Sequence, residues 1–441
     1  MLGRRASARL AAALVLLAGV SALATAPPAI GRGLLLGVAE NFFASPDPGT
    51  RSAWFGRAAR ARAGVVMLSA DWASIAPQRP ANPSNPADPA YRWGGLDAAV
   101  ADANAHRLSV MLQVHKAPRW AEGPGRPSTS VAEPGTWLPD PGAYGEFGRA
   151  IARRYPGVRY WYVWGEPNVS LNLNPQFRGR RLVSASHYRK MLNAFHSGVK
   201  SVSGANQVIG GTTSPYQVRV PGLTAVAPVR FWRALLSNRA RFDIAGHNPL
   251  NVGSPERRAA NPQDIATPDI WKLRRELSRA GRGGTPIWAT ELWWDSRPPD
   301  PLGVPKRRHA RWLQQALYVL WKQRVRAVVW FYLADTPPTP SFGSTLQSGL
   351  FFRGGGEKLA YRAYRFPFVA ERLGRRKVRI WGKAPAAGGV AVQRKGSGGW
   401  RTLKNVRAGG DRVFVATLRL RGGAALRARA SGETSLSWRL R

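Results

Sequence analysis

Two glutamates stand in tryptophan-rich segments: Trp161-Tyr162-Val163-Trp164-Gly165-Glu166-Pro167-Asn168 and Ile287-Trp288-Ala289-Thr290-Glu291-Leu292-Trp293-Trp294. Each follows a short apolar run, which is how a buried parallel strand delivers a carboxylate to its C-terminal rim. Breaking a glycosidic bond takes two carboxyl groups that flank it. Sugars, in turn, lie flat on indole rings. One chain thus holds acid, base and platform.

Positioning such a pair needs a scaffold, and the apolar pattern supplies one. Strand-like runs fall at Leu34–Ala39, Gly64–Ser69, Leu108–His115, Tyr160–Trp164, Val208–Gly211, Phe242–His247, Pro286–Thr290 and Ala327–Tyr332. Most are continuously apolar, as strands covered on both faces are. Amphipathic helical stretches separate them. Asp140-Pro141 and Thr267-Pro268 each read as an N-cap followed by proline at the first helical position. Eight strand–helix units predict an α/β fold, a (β/α)8 barrel over residues 31–371. Segments after the strands are long and rich in Pro, Gly and Asn, while those before them are mostly short. Long βα loops build the active face of such barrels, and both glutamates lie on it. Strands four and seven face one another across the barrel.

From residue 376 to 441 the pattern changes to short alternating runs between Gly-rich turns: Val378–Trp381, Val390–Arg394, Arg401–Val406, Arg412–Leu420 and Ala425–Ala430. A small antiparallel β-sandwich is expected there. It is either a packing appendage or a carbohydrate-binding module, with Trp381, Trp400 and Trp438 as its aromatic candidates.

The first 26 residues read as a secretory leader: Arg4 and Arg5, an apolar run from Leu10 to Val20, then small residues at Ala22, Ala24 and Ala26. The run is short for a membrane span. Cleavage near Ala24 or Ala26 is expected, with an uncleaved N-terminal anchor as the other reading, since Pro27 and Pro28 crowd one site. No further membrane span is expected. The protein is therefore expected to be secreted, extracellular or attached to the cell wall. There is no cysteine, so disulfides and thiolate metal sites are excluded.

The chain of 441 residues carries 66 Lys and Arg against 24 Asp and Glu, a net charge of +42. The basic residues are scattered and mostly Arg, in a background rich in Ala, Gly and Pro. That composition fits a GC-rich, actinobacterial-type genome. It argues against a nucleic-acid stripe and leaves attraction to an anionic envelope or acidic polysaccharide open.

Several segments resemble clan A glycoside hydrolases, closest to the family 39 and cellulase-like branch. Trp164-Gly165-Glu166-Pro167-Asn168 resembles the W-N-E-P-N motif that ends the fourth strand. Ile287–Thr290 with Glu291 and Trp293 resembles the seventh-strand nucleophile motif. Ala70-Asp71-Trp72, Lys116-Ala117-Pro118-Arg119-Trp120, Trp330, Gly349-Leu350-Phe351 and Lys358-Leu359-Ala360-Tyr361 match in order and spacing, over roughly residues 34–371. The resemblance implies a retaining β-glycoside hydrolase acting on an oligo- or polysaccharide. Glu166 would be the acid/base, with a raised pKa, and Glu291 the nucleophile, ionised. It also implies a carbohydrate substrate.

Two departures stand out. Gly165 replaces the asparagine whose amide binds the sugar 2-hydroxyl. Either another donor such as Asn168 substitutes, or the sugar has a bulky or absent 2-substituent, or catalysis is weak. After strand six the chain reads His247-Asn248-Pro249, without the tyrosine that steadies the nucleophile; Tyr332 could approach instead. Further candidates for substrate contact are Glu40, Asp71, Trp72, His115, Trp120, His247, Trp293, Trp294 and Trp330. No metal-ligand spacing and no phosphate loop occurs, so no cofactor is expected. The rival reading is a catalytically silent glycan-binding or envelope protein on the same barrel, and a transglycosylase would share every residue named.

Overall fold

The computed structural model describes residues 33–127 and 132–440. The leader at 1–26 lies outside them. Eight parallel strands close into a barrel: β1 Leu35–Ala39, β2 Val65–Asp71, β3 Ser109–His115, β4 Tyr160–Val163, β5 Gln207–Thr213, β6 Ile244–His247, β7 Ile287–Leu292 and β8 Val325–Phe331. Neighbours in sequence are neighbours in the sheet, and β8 returns to β1. Each predicted strand is found, its ends shifted by a residue or two.

A helix follows each strand: α1 Pro48–Arg60, α2 Gly94–Ala105, α3 Pro141–Arg154, α4 Ser184–Val202, α5 Pro228–Leu236, α6 Ile270–Arg279, α7 Lys306–Lys322 and α8 Leu359–Arg365. Asp140 caps α3 through the Ala143 amide at 2.8 Å. Thr267 does not cap α6. A 3-10 turn over Thr267–Asp269 comes first, and the Thr267 hydroxyl donates to the Pro249 carbonyl at 2.6 Å.

Strand residues alternate between two apolar layers. Val66, Leu68, Val110, Leu112, Val114, Trp161 and Val163 face the helices. Met67, Met111, Tyr162, Ile209, Ile244, Trp288 and Val329 fill the barrel interior. Above that interior layer the inward positions turn polar, with Ser69 paired to Gln113 and Gln113 to Tyr162 across the sheet. That polar tier is the floor of the site.

Two antiparallel sheets follow. β9 Phe368–Arg372, β10 Lys377–Lys383 and β13 Val413–Arg419 form one. β11 Gly388–Gly396, β12 Gly399–Ala408, β14 Ala424–Ala430, β15 Glu433–Thr434 and β16 Trp438–Leu440 form the other. The sandwich thus begins at Phe368, ahead of the sequence-based boundary at 376. Trp381 is fully buried against Tyr318 and Trp321 of α7, with ring centroids 5.6 and 5.9 Å away. Glu433 pairs with Arg62 and Arg365 of the barrel. Trp381 is therefore an anchor between the two layers of the protein and not a sugar platform. Trp438 is also buried. Only Trp400 is half-exposed, beneath the Arg427 guanidinium at 4.2 Å.

Candidate active site

Glu166 is delivered by a backbone that ordinary residues avoid. Past β4, Trp164 and Glu166 take φ values of 59° and 43°, in the left-handed region that costs L-residues about 1–2 kcal/mol each. Neighbouring strands hold this turn in place. The Trp164 and Glu166 amides donate to Val114 and Thr212 carbonyls, each at 3.1 Å, and the Thr212 hydroxyl donates to the Trp164 carbonyl at 2.8 Å. From α4, the buried Tyr188 hydroxyl donates to the Val163 carbonyl and accepts from the Gly211 amide. Gly211 has φ 89°, and a Cβ there would stand 2.0 Å from the Trp232 ring. Strain concentrated and over-determined at one turn is a mark of functional sites.

Glu291 is aimed by an irregularity in β7. Ala289 pairs with Val328 but Leu292 pairs with Trp330, three steps on β7 against two on β8. The extra residue turns Glu291 toward the barrel axis.

Asn248 sits beside both acids. Its Nδ2 donates to Glu166 Oε1 at 2.9 Å, and it lies close enough to Glu291 to favour the charged form there. The Thr290 hydroxyl donates to Asn248 Oδ1 at 2.7 Å, which fixes the amide end that faces the carboxylates. Tyr162 rises from the barrel interior beside Glu291. Its buried hydroxyl makes no hydrogen bond of full geometry, yet it lies close enough to favour the ionised Glu291. Burial, and then the charges of Glu291 and Glu166, hold the Tyr162 hydroxyl protonated.

Burial pushes both carboxyls up. Glu166 rises above the ordinary glutamate value. Glu291 rises to about 8, the charge of Glu166 adding to burial. The expectation from sequence is one raised and one ionised carboxyl; here burial raises both, and such values belong to the pair. Below the lower value both carboxyls are protonated and no nucleophile remains. Above the upper value the acid's proton is gone. The kcat/KM profile is therefore expected to be bell-shaped with its alkaline midpoint near pH 8. An alkaline midpoint near pH 5 in the same measurement would show that the pair does not retain the proton.

The other sequence candidates divide. Asp71 borders a cavity of ≈ 340 Å³ with Ser69, Ser74 and Arg92, while its Oδ1 caps the Ser74 amide. His115 pairs with the Ser69 hydroxyl at 2.7 Å, and burial lowers its pKa to about 4, so it is neutral. Trp293 borders a second cavity of ≈ 500 Å³ on the β5–β7 side, with Tyr216, Leu250 and Val252. Trp294 meets that cavity at its edge, since it is 4% exposed and its indole N–H donates to the Gly253 carbonyl. Tyr332 is half-buried, near Glu291 and Glu40.

Six candidates are engaged with the protein itself. Trp72 is fully buried among Tyr144, Phe147 and Trp120. Trp120 covers Trp72 and donates its indole N–H to the Ala76 carbonyl. Trp330 is buried, with its N–H on the Ser348 carbonyl. His247 is buried between the Thr213 hydroxyl and the Ile265 carbonyl. Asn168 donates to the Ser214 and Val226 carbonyls and accepts from the Ser214 amide, so it braces the loop and reaches no sugar. Glu40 borders the smaller cavity, but its two oxygens accept the Phe42 and Ala334 amides, tying the β1 and β8 loops together. Burial raises its pKa to about 7.

Sequence reasoning passed over Asn248, Tyr162, Ser69 and Gln113. The signal for Gln113 was present: it interrupts the inward row of β3 between Met111 and His115. Among the described residues, no cluster of His, Asp or Glu is arranged to hold a metal ion.

No family model and no curated protein matches the chain. Solved structures share its fold. A family 39 glycoside hydrolase from the gut symbiont Bacteroides cellulosilyticus WH2 aligns over 88% of this chain and 81% of its own, with TM-score 0.58 and 14% identity. A glucosidase from Croceicoccus marinus aligns over 90% and 95%, with TM-score 0.55 and 14% identity. The GH39 enzyme from Xanthomonas axonopodis pv. citri aligns over 88% and 92%, with TM-score 0.54 and 15% identity. At such identities the likeness is one of fold.

Proposed function

We propose that the chain is a secreted, retaining β-glycoside hydrolase acting on an oligo- or polysaccharide. The observation that carries this reading is the pair Glu166 and Glu291, delivered by β4 and β7, with Asn248 donating to Glu166 and lying close to Glu291. Glu166 protonates the glycosidic oxygen as the Glu291 carboxylate attacks the anomeric carbon. The carbon–oxygen bond breaks, the leaving sugar departs with the proton, and an ester to Glu291 forms. Glu166, now ionised, takes a proton from water. The water oxygen attacks the same carbon and Glu291 leaves. Asn248 and Tyr162 favour the charged form of Glu291 in each cycle. Flanking sugars are assigned to the cavity beside β1 and β2, with Ser69 and Asp71, and to the cavity on the β5–β7 side, with Trp293.

The test is a panel of polysaccharides and 4-nitrophenyl glycosides, read by mass spectrometry and by proton NMR of the first anomer released. Release of the β anomer first supports retention. The α anomer first makes the enzyme inverting. No product with glycan binding intact moves the reading to a silent binder. Export rests on the leader pattern at residues 1–26 and is checked by the N-terminal sequence of protein recovered outside the cell. Envelope attachment rests on the +42 charge, and release of bound protein by salt checks it.

A further inference from the structure

Gln113 is an uncommitted amide of the site. It follows Met111 on the inward row of β3, and its cross-strand neighbours are Ser69 on β2 and Tyr162 on β4. A Cβ on Gly165 would stand 2.7 Å from Gln113 Nε2 and 3.5 Å from the Tyr162 hydroxyl oxygen. The absent side chain at 165 is thus what lets the Gln113 amide lie over Gly165, next to the Tyr162 hydroxyl and one residue from Glu166. Apart from the Tyr162 hydroxyl, the polar side chains around it are engaged: His115 with Ser69, Asn248 with Thr290 and Glu166. Among the described residues no protein group takes up the Gln113 amide, and the side chain is half-buried. A bare amide at a reaction centre is satisfied by water or by substrate.

We infer that Gln113 binds the sugar hydroxyl on the carbon next to the one attacked, using the room left by Gly165. This rests on the hydrolase reading above. Hydrogen bonds to that hydroxyl strengthen as positive charge develops on the ring, and an amide both donates and accepts. Asn168 cannot serve, because its amide is spent on backbone groups. Gln113 occupies the space over Gly165, so a bulky substituent on that carbon would compete with it. The site therefore selects an unmodified hydroxyl.

The experiment compares wild type, Gln113→Ala, Gly165→Asn and the double variant on two substrates. These are the 4-nitrophenyl glycoside turned over fastest in the panel and its 2-deoxy counterpart. Gln113→Ala is expected to lower kcat/KM about 10- to 100-fold on the hydroxylated glycoside and to change the 2-deoxy glycoside less than about threefold. Gly165→Asn alone is expected to lose activity by crowding Gln113. Joined to Gln113→Ala, it is expected to recover most of the loss, a non-additivity that a remote structural effect does not produce. Gln113→Met, which keeps the volume, replaces Gln113→Ala if the latter melts early. Equal losses on both glycosides, or a double variant no better than Gln113→Ala, would overturn the inference. A wild type that turns over no glycoside overturns the hydrolase reading instead. Calorimetric binding of the same two types of glycoside then decides on Gln113, and no preference for the hydroxyl sinks it.

Discussion

Glu291→Gln is expected to lower turnover about 100,000-fold on every substrate, the scale seen when a covalent nucleophile is removed. Glu166→Gln is expected to lose about 100- to 10,000-fold on sugars with poor leaving groups, the usual contribution of a general acid. On 2,4-dinitrophenyl glycosides, whose leaving group needs no proton, the first step of Glu166→Gln is expected to stay near wild type. Only Glu291→Gln should remain silent there. The opposite pattern would exchange the two roles and remove the argument built on Asn248 and Tyr162. Each replacement keeps the shape of the side chain and takes one carboxyl from a buried, mutually repelling pair. Neither variant is therefore expected to melt below wild type, and a lowered melting point would mean that lost activity reports damage to the fold.

Lys358→Met is expected to cost about 3–5 kcal/mol of stability, because it leaves a buried carboxylate without its cation. The Lys358 and Asp335 side chains are 2% and 3% exposed. Lys358 Nζ donates to Asp335 Oδ1 at 2.5 Å, to the Ser296 hydroxyl at 2.8 Å and to the Gln347 carbonyl at 3.1 Å. Asp335 also accepts the Gly349 amide at 3.0 Å. This one ammonium fastens the loop after β7 and the loop after β8 to the start of α8, directly behind Trp294 and Asp295. Denaturant unfolding measures the cost. Lys358→Met with Asp335→Leu removes both charges and is expected to recover much of it, since an apolar pair can replace a buried ion pair at little cost. A loss under about 1 kcal/mol for Lys358→Met would show that the pair does not tie these loops.

The tryptophans divide by what packs over them. Trp72, Trp293 and Trp330 each sit where a barrel strand ends, and residue type cannot separate a sugar platform from a core plug. Trp72 is closed over by Tyr144 and Phe147 from α3, and Trp330 is capped by Ser348 far along the chain. Trp293, on the other hand, borders a cavity. Similarly, Thr267 has the side chain of a helix cap, but a hydrogen bond to Pro249, 18 residues back, outweighs the local one. His247 and Asn248 are adjacent in sequence, yet the first is sealed by Ile265 while the second reaches Glu166.

The eight strands, the α3 cap, the change to all-β structure and the two glutamates were all readable along the chain. Those features depend on short-range causes: apolar runs that must be covered, a capping aspartate before proline, and carboxylates at strand ends. Asn248 between the acids, Tyr162 under Glu291, and Gln113 over Gly165 were settled only when distant strands came side by side. Register and bulges decide which inward side chain meets which. A residue's type says what bond it can make, and its partner is chosen by packing between segments that the linear order keeps apart.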